Sequence, residues 1–379
     1  MWRRVATCIA AALMLTVATT ASAAKFTDVP ETHSLNIEIE YLAKEGIISG
    51  YSDGTFKPNA PIAKKHIAKM LVGALELPTT NLKPLPYSDV PTTHAYYKEI
   101  AAAYTAGIFG DAENFRPESS ISRAFMAKMI AKSFNLKSIA ANAVTYKDVP
   151  TTNEFYSPIQ LVTMNNIARG YVGETVHNET TYTFEPNRLL TRAHFSAFLA
   201  RAMSLKAGDY TPDTRYTYFF EDYGDGVRTY LELVKNDSAG GNIETTWNVV
   251  DAVTSEQYDT IQYTTADGKW SEGIPETDLG TFIDYPFTIG LKYDDLKNGT
   301  IQGRQEVIDT KATVTLFGQQ FHDVIVVRDT FIGYEETDYG DFEEVGLMTR
   351  YIYIAKGYGI IAYERDGTFY QWLSSRELR

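Results

Sequence analysis

The chain has 379 residues, 44% of them hydrophobic, with a formal net charge of −13, which is enough apolar material to bury two or more cores. Lys and Arg number 21 against 17 Asp and Glu up to Lys206, and 14 against 31 beyond it, so the acidic second part repels polyanions and argues against nucleic acid as a partner. The single cysteine, Cys8, argues against a disulfide framework, thiolate catalysis and cysteine–metal chemistry.

Arg3 and Arg4 precede an apolar run from Val5 to Val17, followed by small residues ending in Ala21-Ser22-Ala23. This pattern predicts a signal peptide over residues 1–23, cleaved after Ala23 and taking Cys8 with it. The run is short for a spanning helix, and no later stretch offers roughly 20 continuous apolar residues, so no membrane span is expected in the mature chain. Export without cysteine suits a bacterial envelope better than a disulfide-stapled secreted domain.

Three repeats follow. They open at Phe26-Thr27-Asp28-Val29-Pro30, Tyr87-Ser88-Asp89-Val90-Pro91 and Tyr146-Lys147-Asp148-Val149-Pro150, 61 and then 59 residues apart. From the aspartate, Ile39, Ile100 and Ile159 each lie 11 residues on, and Gly46, Gly107 and Asn166 each lie 18 on. A second ruler runs over 8 residues from Phe56 to Lys64, Phe115 to Arg123 and Phe184 to Arg192. Only the stretch between the rulers varies, and the third repeat carries an insertion within Gly173 to Thr183. Fixed pieces joined by an elastic loop predict helix–loop–helix units. The boundaries are 24–80, 81–140 and 141–206.

In the first helix of a repeat, Ile37, Tyr41 and Leu42, or Ile100, Ala103 and Tyr104, recur at helical spacing. Gly46 and Gly107 then supply the positive φ that a helix end commonly needs, and Asn166 is the next best residue for it. The second helix opens on Ile62-Ala63-Lys64-Lys65-His66, Ile121-Ser122-Arg123-Ala124-Phe125 and Leu190-Thr191-Arg192-Ala193-His194. Ser122 and Thr191 read as N-caps, which puts Arg123 and Arg192 at the first helical position, with Lys64 their counterpart behind an uncapping Ala63. Free N–H groups, the positive end of the helix dipole and a side-chain cation together predict an anion site. Ile62, Met70, Leu71, Met129, Ile130, Phe195 and Leu199 read as core. His66 and His194 read as exposed residues at helix starts, with no sign of a metal.

Residues 26–206 resemble three consecutive S-layer homology (SLH) domains of bacterial surface proteins. The resemblance rests on the Phe-x-Asp-Val openings, on Gly46-Ile47-Ile48-Ser49-Gly50-Tyr51-Ser52-Asp53-Gly54-Thr55-Phe56-Lys57-Pro58, and on the Thr191-Arg192-Ala193 helix start. It implies an all-α pseudo-threefold assembly that attaches without covalent bonds to secondary cell-wall polysaccharide, often bearing pyruvylated sugars, at the cell wall or S-layer. A pyruvate ketal presents a carboxylate, for which Lys64, Arg123 and Arg192 are the candidate partners. Gly46 and Gly107 would allow close backbone approach, and Tyr97 and Tyr156 would offer ring faces to sugar. Asp28, Asp89 and Asp148 complete the candidate set, with turn capping as the stronger competing role. For Arg123 and Arg192 the competing role is pairing with a carboxylate of a neighbouring repeat.

The chain departs from the family pattern in two places. The glutamate of the usual Thr-Arg-Ala-Glu capping box is replaced by His66, Phe125 and His194, which removes its reciprocal half. The usual tryptophan six residues after the opening aspartate is replaced by Ser34, Ala95 and Glu154. Tyr97 and Tyr156 stand two residues further on, where the first copy has Asn36. The first groove is therefore expected to bind weakest.

After Lys206 a short polar connector, Ala207 to Pro212, leads into an acidic, tyrosine-rich region over 207–379. Alternating segments at Thr229 to Val234, Thr260 to Thr264, Ala312 to Phe317, Val324 to Arg328, Arg350 to Ala355 and Gly359 to Glu364 predict an antiparallel β domain. Turn signals at Asp267-Gly268, Asn298-Gly299, Gly318-Gln319 and Asp366-Gly367 separate them. The order loosely resembles secreted β domains of surface proteins and lipoproteins with a curved sheet. His322 is the one histidine here, at the entry to a strand, which leaves little basis for a hydrolytic triad. The acidic clusters Glu221 to Gly226 and Glu335 to Glu344 lack full calcium-loop spacing and read as solvated loops.

The whole reads as a non-enzymatic, wall-attached protein that displays a β domain whose partner the sequence does not name, with no cofactor. A wall-anchored enzyme acting on glycan or peptide, or a lattice subunit, are the alternatives.

Overall fold

The computed structural model describes residues 26–139, 142–176, 179–223, 226–240, 242–275, 280–297, 300–316, 318–336 and 342–379. The predicted signal peptide with Cys8 lies outside them, as do the Asn298-Gly299 turn and parts of both acidic clusters.

Each repeat contributes two helices: α1 (Asn36–Lys44) and α2 (Lys64–Ala74), α3 (Tyr97–Thr105) and α4 (Arg123–Ser133), α5 (Tyr156–Met164) and α6 (Arg192–Ser204). The first helix of every repeat stops in the same way. Gly46, Gly107 and Asn166 take φ of 70°, 73° and 57°, a left-handed state open to glycine and tolerated by asparagine. The next N–H then folds back onto the helix: Ile47 to the Leu42 carbonyl, Ile108 to Ala103 and Ile167 to Val162, each at 2.9 Å. These bonds satisfy carbonyls that would otherwise be stranded at the helix end.

The second helix of one repeat packs on the first helix of the next: α2 on α3, α4 on α5, and α6 back on α1. One apolar cluster runs through all six and contains the seven core residues expected from the sequence. The region is not wholly helical. The insertion of the third repeat forms an antiparallel hairpin, β1 (Tyr171–Val176) with β2 (Glu179–Thr183), and Tyr171 lies opposite Thr183. Its run of Tyr, Val and Thr favours a strand over a structureless loop, which corrects the all-α expectation.

The second half is antiparallel throughout. Its strands are β3 (Tyr216–Asp222), β4 (Arg228–Asn236), β5 (Ile243–Asp251), β6 (Gln257–Ala266), β7 (Lys269–Gly273) and β8 (Gly280–Asp284). There follow β9 (Lys292–Lys297), β10 (Thr300–Leu316), β11 (Gln319–Glu336), β12 (Phe342–Ala355), β13 (Gly359–Arg365) and β14 (Thr368–Leu378). They form one sheet in the order β8-β7-β6-β5-β4-β3-β14-β13-β12-β11-β10-β9. Two turns read from the sequence take positive φ: Asp267 and Gly268 at 49° and 72°, Asp366 and Gly367 at 53° and 77°.

The sheet curls until its edges face each other, giving a nearly closed barrel. A side chain spans the seam: the Phe282 N–H donates to Gln305 Oε1 (2.9 Å), and Gln305 Nε2 donates to the Gly280 carbonyl (3.1 Å). The rings of Phe282 on β8 and Tyr293 on β9 lie 6.0 Å apart beside it. Trp247, Trp270, Tyr218 and Tyr263 fill the barrel core.

The predicted connector is less polar in its setting than in its sequence. Tyr210 is buried in the barrel core with its ring 5.2 Å from that of Phe287, and the Tyr210 carbonyl accepts from Trp270 Nε1 (3.2 Å). Lys206 and Phe287 exchange both backbone hydrogen bonds (2.8 and 3.0 Å). Ile289 belongs to the helical core, its N–H donates to Ser204 Oγ (2.9 Å), and Asn142 and Asn166 donate to the carbonyls of Tyr285 (2.7 Å) and Pro286 (3.1 Å). The two halves are thus docked through satisfied polar contacts, as buried amides require.

Candidate functional site

Each opening aspartate folds onto the aromatic-x-Pro turn of its own repeat. Asp28 accepts from the N–H groups of Phe56 and Lys57 (2.7 and 2.8 Å), Asp89 from Phe115 and Arg116 (both 2.7 Å), and Asp148 from Phe184 and Glu185 (2.8 and 2.7 Å). The second residue of each pair, Lys57, Arg116 or Glu185, has φ of 59°, 58° or 56°. A carboxylate gripping two successive N–H groups holds this non-glycine left-handed residue in place.

The helix-start cations reach the carbonyl of that aromatic in the next repeat. Lys64 Nζ donates to Phe115 O (3.1 Å), Arg123 Nε to Phe184 O (2.7 Å) and Arg192 Nε to Phe56 O (2.8 Å). The order is one to two, two to three, and three to one. The partners are main-chain carbonyls where the structural alternative had neighbouring carboxylates. The helix-start N–H groups, expected to be free, go to the same turns. Lys64 and Lys65 donate to Ser119 and Pro117 (2.8 and 3.0 Å), Arg123 and Ala124 to Arg188 and Pro186 (3.0 and 2.9 Å), and Arg192 and Ala193 to Ala60 and Pro58 (2.9 and 3.0 Å). Ser122 and Thr191 cap as expected, accepting from the N–H groups of Phe125 and His194 (3.3 Å each), and Ala63 offers no side-chain cap. An incoming anion would thus meet the side-chain cations rather than bare backbone.

The three cations differ in access. Arg123 is 2% exposed, sealed among Phe184, Tyr171 and Phe198 with guanidinium-to-centroid distances of 4.6, 5.1 and 5.3 Å. Burial holds its pKa below the ordinary arginine value. Arg192 is half-buried over Phe56 and Tyr51 (4.6 and 5.1 Å). The Lys64 ammonium lies 4.3, 5.3 and 5.6 Å from the rings of Phe115, Phe109 and Phe125 and lines an open cleft of about 510 Å³ with Asn114, Arg116, Ser119 and Ser120. Burial lowers its pKa, offset in part by Asp89.

The remaining candidates are spread out. Tyr97 and Tyr156 begin α3 and α5 and rest half-buried on the helical core. A Cβ at Gly46 would meet nothing within 4 Å, and the Gly107 carbonyl accepts from Lys132 Nζ (2.5 Å), so both glycines serve the backbone turn. His66 and His194 are half-buried rather than exposed, because each helix start is pressed against the next repeat. Burial pulls both imidazoles below their ordinary pKa, as do Lys65 and Arg192 at His66 and Arg188 and Arg123 at His194. Sequence reasoning missed Tyr96, whose ring lies 5.4 Å from that of His66 and 5.5 Å from Lys65 Nζ. It also missed Tyr51 and Tyr171 over the two arginines. Their signal was an aromatic residue beside each diagnostic turn.

The family model of the S-layer homology domain matches residues 25–65 and 86–127. An S-layer protein of Bacillus licheniformis is 31% identical over 191 residues, 48% of this chain and 20% of its own. S-layer protein EA1 of Bacillus anthracis is 30% identical over 183 residues, with the same two shares. The matched stretch is therefore about a fifth of each S-layer relative's length. A protein named as an uncharacterized cell wall amidase of Bacillus anthracis is 29% identical over 269 residues, covering 68% of this chain and 48% of its own. These matches indicate a secreted protein of the cell surface or cell wall. The amidase match exceeds the share of residues 1–206 and so includes part of the barrel half.

In the barrel half, His322 is an exposed residue of β11 whose Nδ1 lies 3.3 Å from Thr313 Oγ1. Among the described residues no group of three or more His, Cys, Asp or Glu side chains could hold a metal, and no helix is long and apolar enough to cross a membrane.

Proposed function

We propose that the repeats anchor the protein to the cell wall by binding an acidic secondary polysaccharide, with the carboxylate of a pyruvylated sugar at the helix-start cations. The observation that carries this reading is the Lys64 ammonium in an open cleft of about 510 Å³, whose walls also carry Arg116, Glu113 and the polar Asn114, Ser119 and Ser120. Such a site supplies charge for a carboxylate, polar groups for sugar hydroxyls and one partly exposed ring, Phe125. The closed order of turn contacts supports a pseudo-threefold assembly. Within it Arg123 is the buried cation, while Lys64 and Arg192 are both partly exposed. The Lys64 groove is completed by the turn of the second repeat, through Phe115 O.

The test is pelleting of the full chain with purified walls before and after the secondary polysaccharide is removed. Lys64→Ala is expected to weaken binding about tenfold, through loss of one charge-assisted hydrogen bond. Undiminished pelleting on stripped walls refutes the reading. In this proposal the barrel half is a displayed, non-catalytic domain. The amidase match extending past the repeats favours a wall-active barrel as the second reading, and release of soluble fragments from peptidoglycan would decide for it.

A further inference from the structure

The interior of the barrel changes character one layer beyond its core. Trp270 is wholly buried in that core, and Glu272, two residues further along β7, faces the same way. By the same alternation the core residues Val327 and Ile352 lead to Asp329 and Arg350, which stand opposite each other on β11 and β12 and pair at 2.7 Å through Arg350 Nε. Tyr363 on β13 is the partner of Ile352 in register. Strands β7 and β12 are not neighbours in the sheet, so Arg350 acts on Glu272 across the interior. Although strands enclose them, Glu272 and Tyr363 are only partly buried and the Arg350 side chain is 31% exposed. Water therefore enters the lumen at this layer, whereas Trp247 and Trp270 exclude it from the next.

Charge in this layer does not balance. Asp329, buried, already holds Arg350. The Glu272 side chain has no hydrogen bond or ion pair among the described residues, and the charged groups that act on it are Arg350 and a second carboxylate, Asp259 of β6. Three carboxylates thus share one guanidinium. Burial pushes Glu272 up to about 7, with Arg350 offsetting part of the rise, as befits a carboxylate short of a partner. Ring faces stand close by. The Arg350 guanidinium lies 5.1 and 5.3 Å from the ring centroids of Phe331 and Tyr363, and Tyr370 stacks on Tyr363 with centroids 5.9 Å apart. An unpaired carboxylate beside aromatic rings, where water is restricted, suits a cation with an apolar body. A bare metal ion is not served, since among the described residues no group of three or more His, Cys, Asp or Glu side chains could hold one.

We propose that this end of the barrel lumen binds a small organic ammonium ion, with its N–H groups on the Glu272 carboxylate and its carbon body among the rings of Tyr363, Tyr370 and Phe331. The site is separate from the helix-start grooves and does not depend on the anchoring reading. Binding requires Glu272 ionised, so a Glu272 that holds a proton gives it up to the buffer as the ammonium ion enters.

The full chain is titrated calorimetrically at about pH 6 with butylammonium, with butanol and butyrate as its neutral and anionic counterparts, and with glucosamine against glucose. Butylammonium or glucosamine is expected to bind, with butanol, butyrate and glucose silent. Which of the two binds more tightly tells whether an alkyl chain or an amino sugar carries the ammonium group. Heats compared in two buffers of different ionisation enthalpy should show release of up to about one proton per ligand. Glu272→Gln keeps the shape of the side chain and removes its charge, and it should cost at least about tenfold in affinity with the indole emission of the barrel unchanged. Should that variant fail to fold, proton release in the natural chain decides. No binding of either ammonium, equal affinity in Glu272→Gln, equal binding of butyrate or glucose, or binding without proton release overturns the proposal.

Discussion

Asp89→Ala tests whether the opening aspartates hold the turns. The Asp89 carboxylate accepts two bonds of 2.7 Å, from the partly buried N–H of Phe115 and the exposed N–H of Arg116. A hydrogen bond to a charged acceptor contributes about 1.5–3 kcal/mol, less where water can replace it, so the pair contributes about 3 kcal/mol. Arg116, at φ 58°, then loses the contact that offsets its left-handed strain. Asp89→Asn keeps one acceptor oxygen and should cost about half as much. The chain has 4 tryptophans. Trp247, Trp270 and Trp372 lie in the barrel strands and Trp2 in the predicted signal peptide, so indole emission reports the barrel. Ellipticity at about 222 nm, dominated by helix, reports the repeats. In urea, the variant should shift the helical transition downward while the indole transition shifts less. Two coincident, unshifted transitions would refute the capping role and return these aspartates to the list of ligand contacts.

Two further predictions concern buried charge. Arg201→Met leaves Glu38, 1% exposed, without its cation and should cost about 3–5 kcal/mol; adding Glu38→Gln should restore most of that, and a double variant no more stable than the single would refute the pairing. Inside the barrel, burial raises Glu272 from 4.5 to about 7, with Arg350 lowering it in part and Asp259 adding to the rise. Between those values the folded chain holds a proton that the unfolded chain has released, so stability falls as pH rises through the interval and the loss is complete above pH 7. The full loss is at most about 3 kcal/mol. Urea midpoints of the indole transition at pH 4.5 and pH 8 should show this slope, and Glu272→Gln should flatten it; an equal slope in the variant would refute the assignment.

Much of the repeat architecture was legible because it is local. Two fixed spacings placed the helices, and the conformation of Gly46, Gly107 and Asn166 follows from residue type alone. The caps at Ser122 and Thr191 do too. What was not legible depends on neighbours distant in sequence. Whether Arg123 faces solvent or lies beneath Tyr171 turns on an insertion 48 residues later, whose fold as a hairpin its length did not reveal. The bonds from helix starts to the next repeat's turn are invisible because any carbonyl can accept them. Gln305 resembles any other strand glutamine until the sheet curls far enough for it to reach β8. Strand segments were recognised by alternation, but β10 and β11 run to 17 and 18 residues, well beyond the pieces that alternate cleanly.

The reciprocal backbone bonds of Lys206 and Phe287 have a mechanical meaning. They lie where the chain leaves α6, and Ser204, Asn142 and Asn166 bind the neighbouring Ile289, Tyr285 and Pro286 of the barrel half. A load applied to the barrel therefore enters the repeats through several parallel bonds sheared together, instead of stretching a lone strand of polypeptide. A surface that grips the repeats sets the heading of the barrel, and the barrel has no free swing about that attachment.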